Sequence, residues 1–323
     1  MRIDKAIGLL LIVLSACTNA PEVKVQTKEC ADMPKGRASA CACVCNGKAY
    51  VFAGRDKKGV YLNDLWEYDP QTDSWKDLGK SPMKARVNAT ISACDGKIYA
   101  GLGYSTLHAY NDSSYRKDWW EYTPATGVWK RLADYPSQHT VKPVCVNDNN
   151  AIYMLYGCGH SQQSEVWEYR ISSDQWTLLP RVGQQHPKSF GCTGTVFEGT
   201  TYMGTGFNAR NLTHWYRVLL PENSWCACAS LPGKGREFSA CAAGKEYIYL
   251  FGGRHFAGDM TGGEIFETYM RYTPTKDQWE WCGTMPCGRA ENQIAFSIDG
   301  KVYFGLGEDE NGKVNASIYR IEE

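Results

Sequence analysis

Apolar and polar positions along this chain alternate over runs of four to six residues, break at Pro, Thr, Asp, Ser or Gly, and resume, and the whole pattern returns at intervals. The stretch from Asp64 to Trp75 (DLWEYDPQTDSW) shows it best. Asp118 to Trp129 and Glu165 to Trp176 repeat it; His214 to Trp225 is a looser copy, and Thr268 to Trp279 restores Tyr272, Pro274 and the final Trp. Alternation of period two predicts a half-buried strand, and the polar break predicts a turn. Each copy therefore predicts a hairpin whose second strand opens on Trp. In the turns, Pro presets its own backbone angle while Asp, Ser and Thr side chains bond back to the backbone.

Upstream of each hairpin lies a second recurring piece, clearest in Asp95 to Gly103, Glu246 to Gly253 and Asp299 to Gly307, which predicts a turn, a strand and a glycine stop. Further upstream a basic residue precedes a run of small and apolar residues, with Arg37, Arg86, Lys142, Lys188, Arg236 and Arg289 each in roughly this place. Four strands in a period of about fifty residues is the pattern of a propeller rather than a solenoid. The two chain ends complement each other. Glu29 to Pro34 lines up with Trp281 to Pro286, an outer strand, whereas the sixth unit stops after Ser317 to Ile321 without one. The N-terminal strand within Val23 to Pro34 is thus expected to complete the last blade and leave no open edge at the join.

The apolar strand ending in Gly252-Gly253 (Ala53-Gly54 in the first blade), followed by Tyr68 and Trp75, resembles the kelch family. The resemblance implies an all-β, six-bladed kelch β-propeller over residues 23–323, its last blade closed by the N-terminal strand. Blades two, four and six depart from it by carrying Gly-Xaa-Gly, and the fourth has Tyr216 and Arg217 where others have a Glu-Tyr pair.

Composition changes this picture in three places. The 11 Trp and 20 Tyr among 323 residues suit the repeated burial of an aromatic between blades, each covering about 150–250 Å2, with a few left to line a sugar site. Equal numbers of acidic and basic residues, with no dense basic stretch, argue against nucleic acid as a partner. Before the propeller, Arg2 and Lys5 precede an apolar run from Ala6 to Leu14, too short to span a membrane, which predicts a secretory signal over residues 1–16. It ends Leu14-Ser15-Ala16-Cys17, which resembles a bacterial lipobox. That resemblance implies a diacylated Cys17, a tether over residues 17–22, and anchoring in the cell envelope, with Thr18 favouring the outer membrane on its periplasmic or surface face. Of the 14 cysteines, Cys41, Cys43 and Cys45 alternate on one strand, as do Cys226 and Cys228. They read as small buried hydrophobes or as inter-blade disulfides; no His stands near enough to complete a metal set, so no metal or other cofactor is expected.

Function is expected where loops gather around one mouth of the central channel. In a kelch blade the loop before the innermost strand and the loop after the glycines share that face. The first set supplies Arg37, Arg86, Lys142, Lys188, Arg236 and Arg289, with His139, His186 and Cys287; the second supplies Arg55, His108, His160, Arg210, Arg254, His255 and Glu308. Such a ring of cations would suit an anion, since guanidinium offers carboxylates a planar fork. The alternative is that each cation pairs with a local acid such as Glu237 or Glu291. Three groups sharing this blade imply different functions. Ubiquitin-ligase adaptors of this fold bind acidic peptides through Arg at the start of inner strands, matching Arg37, Arg86, Arg236 and Arg289. Galactose oxidases need a copper-binding Tyr/His set in a seven-bladed chain, and no such set can be placed here. N-acetylneuraminate mutarotases are similar in size, blade count and export; their Glu and Arg lie in a loop where this chain has Phe207 and Arg210. The leading expectation is a lipid-anchored binding module for an acidic small molecule, glycan or protein. The alternative is a sialic-acid-type mutarotase or epimerase, with Glu308, Glu291 or His255 beside Arg254 as candidate acid or base.

Overall fold

The computed structural model describes residues 20–105, 114–137, 141–148, 150–157, 164–183, 187–256 and 263–322. The predicted signal, Cys17, His108, His139, His160 and His186 lie outside these. The described residues form six four-stranded antiparallel sheets, and five of them run in chain order from innermost to outermost strand. Blade one is typical, with strands Cys41–Cys45, Lys48–Phe52, Asp64–Asp69 and Ser74–Lys80. The sixth sheet takes Ile294–Ile298, Lys301–Gly305 and Ile318–Glu322 from the end of the chain and Gln26–Cys30 from its beginning. The closing strand pairs from Gln26 opposite Glu322 to Cys30 opposite Ile318, so the ring shuts as the terminal complementarity predicted.

The repeated Tyr and Trp pack against each other across the outer hairpin, with ring centroids 4.8–5.0 Å apart in blades one, two, three and five. The hairpin turn adds a second joint. Asp73, Asp174 and Asp277 sit in the left-handed region, with φ of 47°, 52° and 52°, and blade two uses Gly127 at this point. From there Asp73 accepts a hydrogen bond from the Tyr68 hydroxyl (2.6 Å) and another from the Ala31 backbone N–H (2.8 Å), while Trp75 Nε1 donates to the Ala31 carbonyl (2.9 Å). Blades three and five repeat the grip on Ala133 and Ala229 of the preceding blade. One turn residue thus fixes its own hairpin and locks the neighbouring blade. In blade one that neighbour is the closing strand itself.

The departure from Gly-Gly also has a steric account. Ala53, Leu102, Tyr156, Thr205, Gly252 and Leu306, at the first of the two positions, all have φ between 52° and 63°, yet most carry a side chain that enters the core. The second position tolerates none: a Cβ on Gly54, Gly103, Gly206, Gly253 or Gly307 would stand 2.5–2.8 Å from a backbone carbonyl of the incoming inner strand or from a neighbouring side chain no further away.

Candidate functional site at the channel mouth

The six inner strands converge on a channel narrowed by small side chains such as Ala42, Ala93 and Ala242, with cavities of about 140 Å3 below the mouth and about 270 Å3 toward the other end. At the mouth, Ser39, Asn88, Lys142, Gly191, Phe238 and Asn292 all take positive φ, between 47° and 67°. Asn88 donates its backbone N–H to Ser39, Lys142 to Asn88, Phe238 to Gly191, Asn292 to Phe238 and Ser39 to Asn292, at 2.9–3.1 Å, so a collar of peptide bonds links the blades. Side chains on the collar and on its two flanking loop sets form the site.

The expected ring of six cations does not form. Arg37 and Arg86 are fully buried in their own blades. Arg37 Nη1 donates to the Ala53 carbonyl (2.9 Å) and its Nη1 and Nη2 to Asp64 (2.8 and 3.1 Å); Arg86 does the same with Leu102 (2.9 Å) and Asp118 (2.8 and 2.9 Å). The pairing is local, as the alternative reading held, but the acids are neither Glu237 nor Glu291. Arg236 is also fully buried, at the equivalent place in blade five. Ser189 and Ala290 take this place in blades four and six, while Lys188 and Arg289, one residue earlier, are exposed outside the collar. Arg210 is exposed at the tip of a small hairpin, Phe207–Asn208 with Arg210–Asn211. His255 lies on a second such hairpin, its Nδ1 2.8 Å from the Gly235 carbonyl oxygen.

The structure gathers a different set. Glu237 and Glu291 follow the Arg236 and Ala290 positions and pair by backbone with Arg254 and Glu308, the residues after the glycines. Arg254 Nη2 lies 3.4 Å from Glu237 Oε1 and its Nε 3.5 Å from Glu291 Oε2. Arg55 of blade one forms an ion pair with Glu308, whose Oε1 accepts from Asn292 Nδ2 at 3.4 Å. From the opposite side of the collar Lys142 reaches across to Asn292 Oδ1 (2.9 Å), its ammonium 4.7 Å above the Phe238 ring. The site thus joins three carboxylates, all under 10% exposed, with two guanidiniums and one amine, and is balanced in charge rather than basic.

Burial sets the protonation of these groups. It pushes the Glu237 carboxyl up to about 7 against the pull of Arg254, raises Glu291 as well, and lowers the Lys142 amine to about 8. Among the described residues, Oε2 of both Glu237 and Glu291 is buried without a hydrogen-bond partner. Two buried carboxyl groups beside cations, both raised in proton affinity and Glu237 brought near neutrality, can bind hydroxyls and exchange protons with them. Glu291, Glu308, Arg55 and Arg254 were legible as candidates; Glu237 was visible only as a counter-ion, and Asn292 and Phe238 were missed. Their common signal is the positive-φ collar position, two residues after the place that Arg37, Arg86 and Arg236 hold in blades one, two and five, which sequence does not mark because Ser, Asn, Lys, Gly and Phe all occupy it.

The inner-strand thiols lie on the same channel. Burial raises Cys41 and Cys43 and takes Cys145 up to about 11, so these are thiols rather than thiolates. Among the described residues no disulfide joins the cysteines, and no three metal-ligating side chains converge.

Comparison with known proteins agrees with this architecture. The chain is 22% identical over 330 residues to N-acetylneuraminate epimerase of Yersinia enterocolitica, covering 90% of this chain and 76% of that one. It is 26% identical to mouse Kelch-like protein 35 over 51% of this chain, but spans only 27% of that protein's length. More generally it spans half or less of the first curated relatives it matches. The solved "Structure of YjhT" superposes with a TM-score of 0.74 at 15% identity, over 90% of this chain and 96% of that one, a likeness of fold alone. The KLHDC2/KLHL20/DRC7 Kelch-repeats domain model matches residues 13–206. With the glycine pair, the Tyr–Trp hairpin and the ring of six blades in place, the chain belongs to the kelch-repeat family.

Proposed function

We propose that the mouth shared by blades one, three, five and six binds a small hydroxyl-rich acid, with an acidic sugar as the leading class. One observation carries the reading: two buried carboxyl groups, Glu237 and Glu291, each with one oxygen that no hydrogen bond among the described residues takes, lie beside Arg254, with Lys142 at the same end of the channel. The cations offer charged hydrogen bonds to a ligand carboxylate, and the spare oxygens accept from its hydroxyls. The likeness to N-acetylneuraminate epimerases makes sialic acid the first ligand to try. A second reading, anomer interconversion, is favoured by the Glu237 carboxyl lying near 7 and the Lys142 amine near 8, since groups so poised pass protons both ways at neutral pH. The predicted lipid at Cys17 would hold this mouth within the cell envelope.

The test pairs a thermal-shift titration with saturation-transfer NMR of sialic acid and of neutral hexoses. Acidic sugars should raise the melting temperature, and Arg254→Ala should abolish the rise. If no acidic sugar shifts the melt, the binding reading fails. Anomer exchange no faster than in buffer for a sugar that binds removes the second reading only; faster exchange that Glu291→Gln slows about a hundredfold supports it.

A further inference from the structure

Internal repetition provides three copies of one buried arginine position and so allows each to be compared with the others. In blades one and two every nitrogen of the guanidinium has a partner. Besides the carbonyl and carboxylate bonds given above, Nε donates to the carbonyl of Lys35 (3.3 Å) or Lys84 (2.8 Å). The carboxylates of Asp64 and Asp118 also accept from the indole N–H of Trp66 (2.8 Å) and Trp120 (3.0 Å).

Arg236 keeps the first of these bonds, Nη1 to the Gly252 carbonyl at 3.1 Å, so its guanidinium lies where the other two lie. It has lost the rest. The backbone carbonyl that bonds Ala53 N in blade one belongs to Asp64, and the one that bonds Gly252 N in blade five belongs to Thr268, so Thr268 stands in the aspartate's place. Met270 likewise stands in the place of Trp66. Arg236 Nε, Arg236 Nη2 and Thr268 Oγ1 are all buried without a hydrogen-bond partner among the described residues. The aromatic rings of Phe266 and Trp281, 4.1 and 5.9 Å from the guanidinium carbon, shield it from water. Glu264, an acid whose charge reaches it, is committed to Lys234 at 2.6 Å and is 43% exposed. A guanidinium does not give up its proton at neutral pH, and a buried cation with two free N–H groups is strongly unfavourable without a counter-charge.

We propose that Arg236 and Thr268 form an internal anion site, in which a small monovalent anion takes Nε and Nη2 as a two-pronged fork and the Thr268 hydroxyl as a third donor. The anion supplies in blade five the negative charge that blades one and two carry covalently, on the Nε–Nη2 edge of the guanidinium rather than the Nη1–Nη2 edge that Asp64 and Asp118 take. The site is separate from the mouth: it lies inside one blade, and its role is to complete that blade's core. Chloride is the probe.

The experiment measures melting temperature of the full chain at constant ionic strength while sodium chloride replaces sodium gluconate, for wild type and Thr268→Asp. An anion that binds only the folded state raises the wild-type melt by a constant step for each tenfold rise in chloride above its dissociation constant. Thr268→Asp supplies the carboxylate internally, so it should melt higher than wild type without chloride and lose the chloride response. Equal chloride responses in the two proteins would show a general salt effect and overturn the proposal. Should Thr268→Asp fail to fold, wild-type crystals grown in bromide decide: an anomalous peak within hydrogen-bond reach of Arg236 Nη2 supports the site, and none there overturns it.

Discussion

Truncating Asp64 to Ala should damage this propeller far more than the loss of one surface ion pair would. The Asp64 side chain is 15% exposed and that of Arg37 is not exposed at all. The substitution removes the acceptor for Arg37 Nη1, Arg37 Nη2 and Trp66 Nε1 and leaves a sealed guanidinium with its charge unbalanced. Breaking one partner out of a buried pair costs about 3–5 kcal/mol, whereas an exposed pair contributes about 0–1. For a chain of this length a loss of 1 kcal/mol lowers the melting temperature by about 2 °C, so the expected drop is about 6–10 °C, read by tryptophan fluorescence. The double variant Arg37→Met, Asp64→Leu removes both charges and should recover much of that drop, because the penalty lies in the stranded cation. A loss below about 1 kcal/mol for Asp64→Ala, or a double variant no better than the single one, would refute the account. The pair also adds an acid limb. Burial raises the Asp64 carboxyl, but the hydrogen bonds and charge of Arg37 outweigh this and hold it below its ordinary value. Its contribution is therefore complete above the unfolded carboxylate pKa and is lost as pH falls through the folded one.

Glu237 carries the opposite sign. Its folded value, near 7, lies above the ordinary carboxyl value of 4.5, so the native state loses stability as pH rises between the two. Glu237→Gln should leave the melt at pH 4 unchanged and raise it at pH 8; a rise at both would point to packing instead. At the chain start, Cys17→Ser should abolish labelling by palmitate in a bacterial host, and equal labelling of the variant would rule out acylation there.

The blade plan was legible because its determinants are local. Tyr68 and Trp75 lie seven residues apart and Asp73 between them, so one window of sequence contains the hairpin, its turn and its packing. Even the closing strand could be placed, since each terminus supplied what the other lacked. The site was less legible because its determinants are not local. Arg37, Arg86 and Arg236 all face the core, but what each meets there depends on a residue beyond the next strand: Asp64 for Arg37, Asp118 for Arg86 and, among the described residues, no acid for Arg236. Lys188 and Arg289 sit one residue off that register, a shift that exchanges the two faces of an extended chain. The usable signal was the joint presence of Arg and Asp at matched places in blades one and two.

Closure by the first strand also fixes an order of events. Gln26–Cys30 leaves the ribosome before every other strand of the ring, but its partner, Ile318–Glu322, is made last. Throughout synthesis the outermost strand of the last blade therefore waits beside five growing neighbours with its hydrogen-bonding edge unclaimed. Joining segments roughly 290 residues apart in a free chain would cost about 5 kcal/mol in loop entropy, so the join must follow the stacking of the intervening blades, which brings the two ends together. Until then Ala31 gives Asp73 and Trp75 a place to hold the early strand against blade one. A chain that stopped before Ile318 would leave a nearly complete ring with two unpaired edges, a species better suited to joining another copy than to refolding.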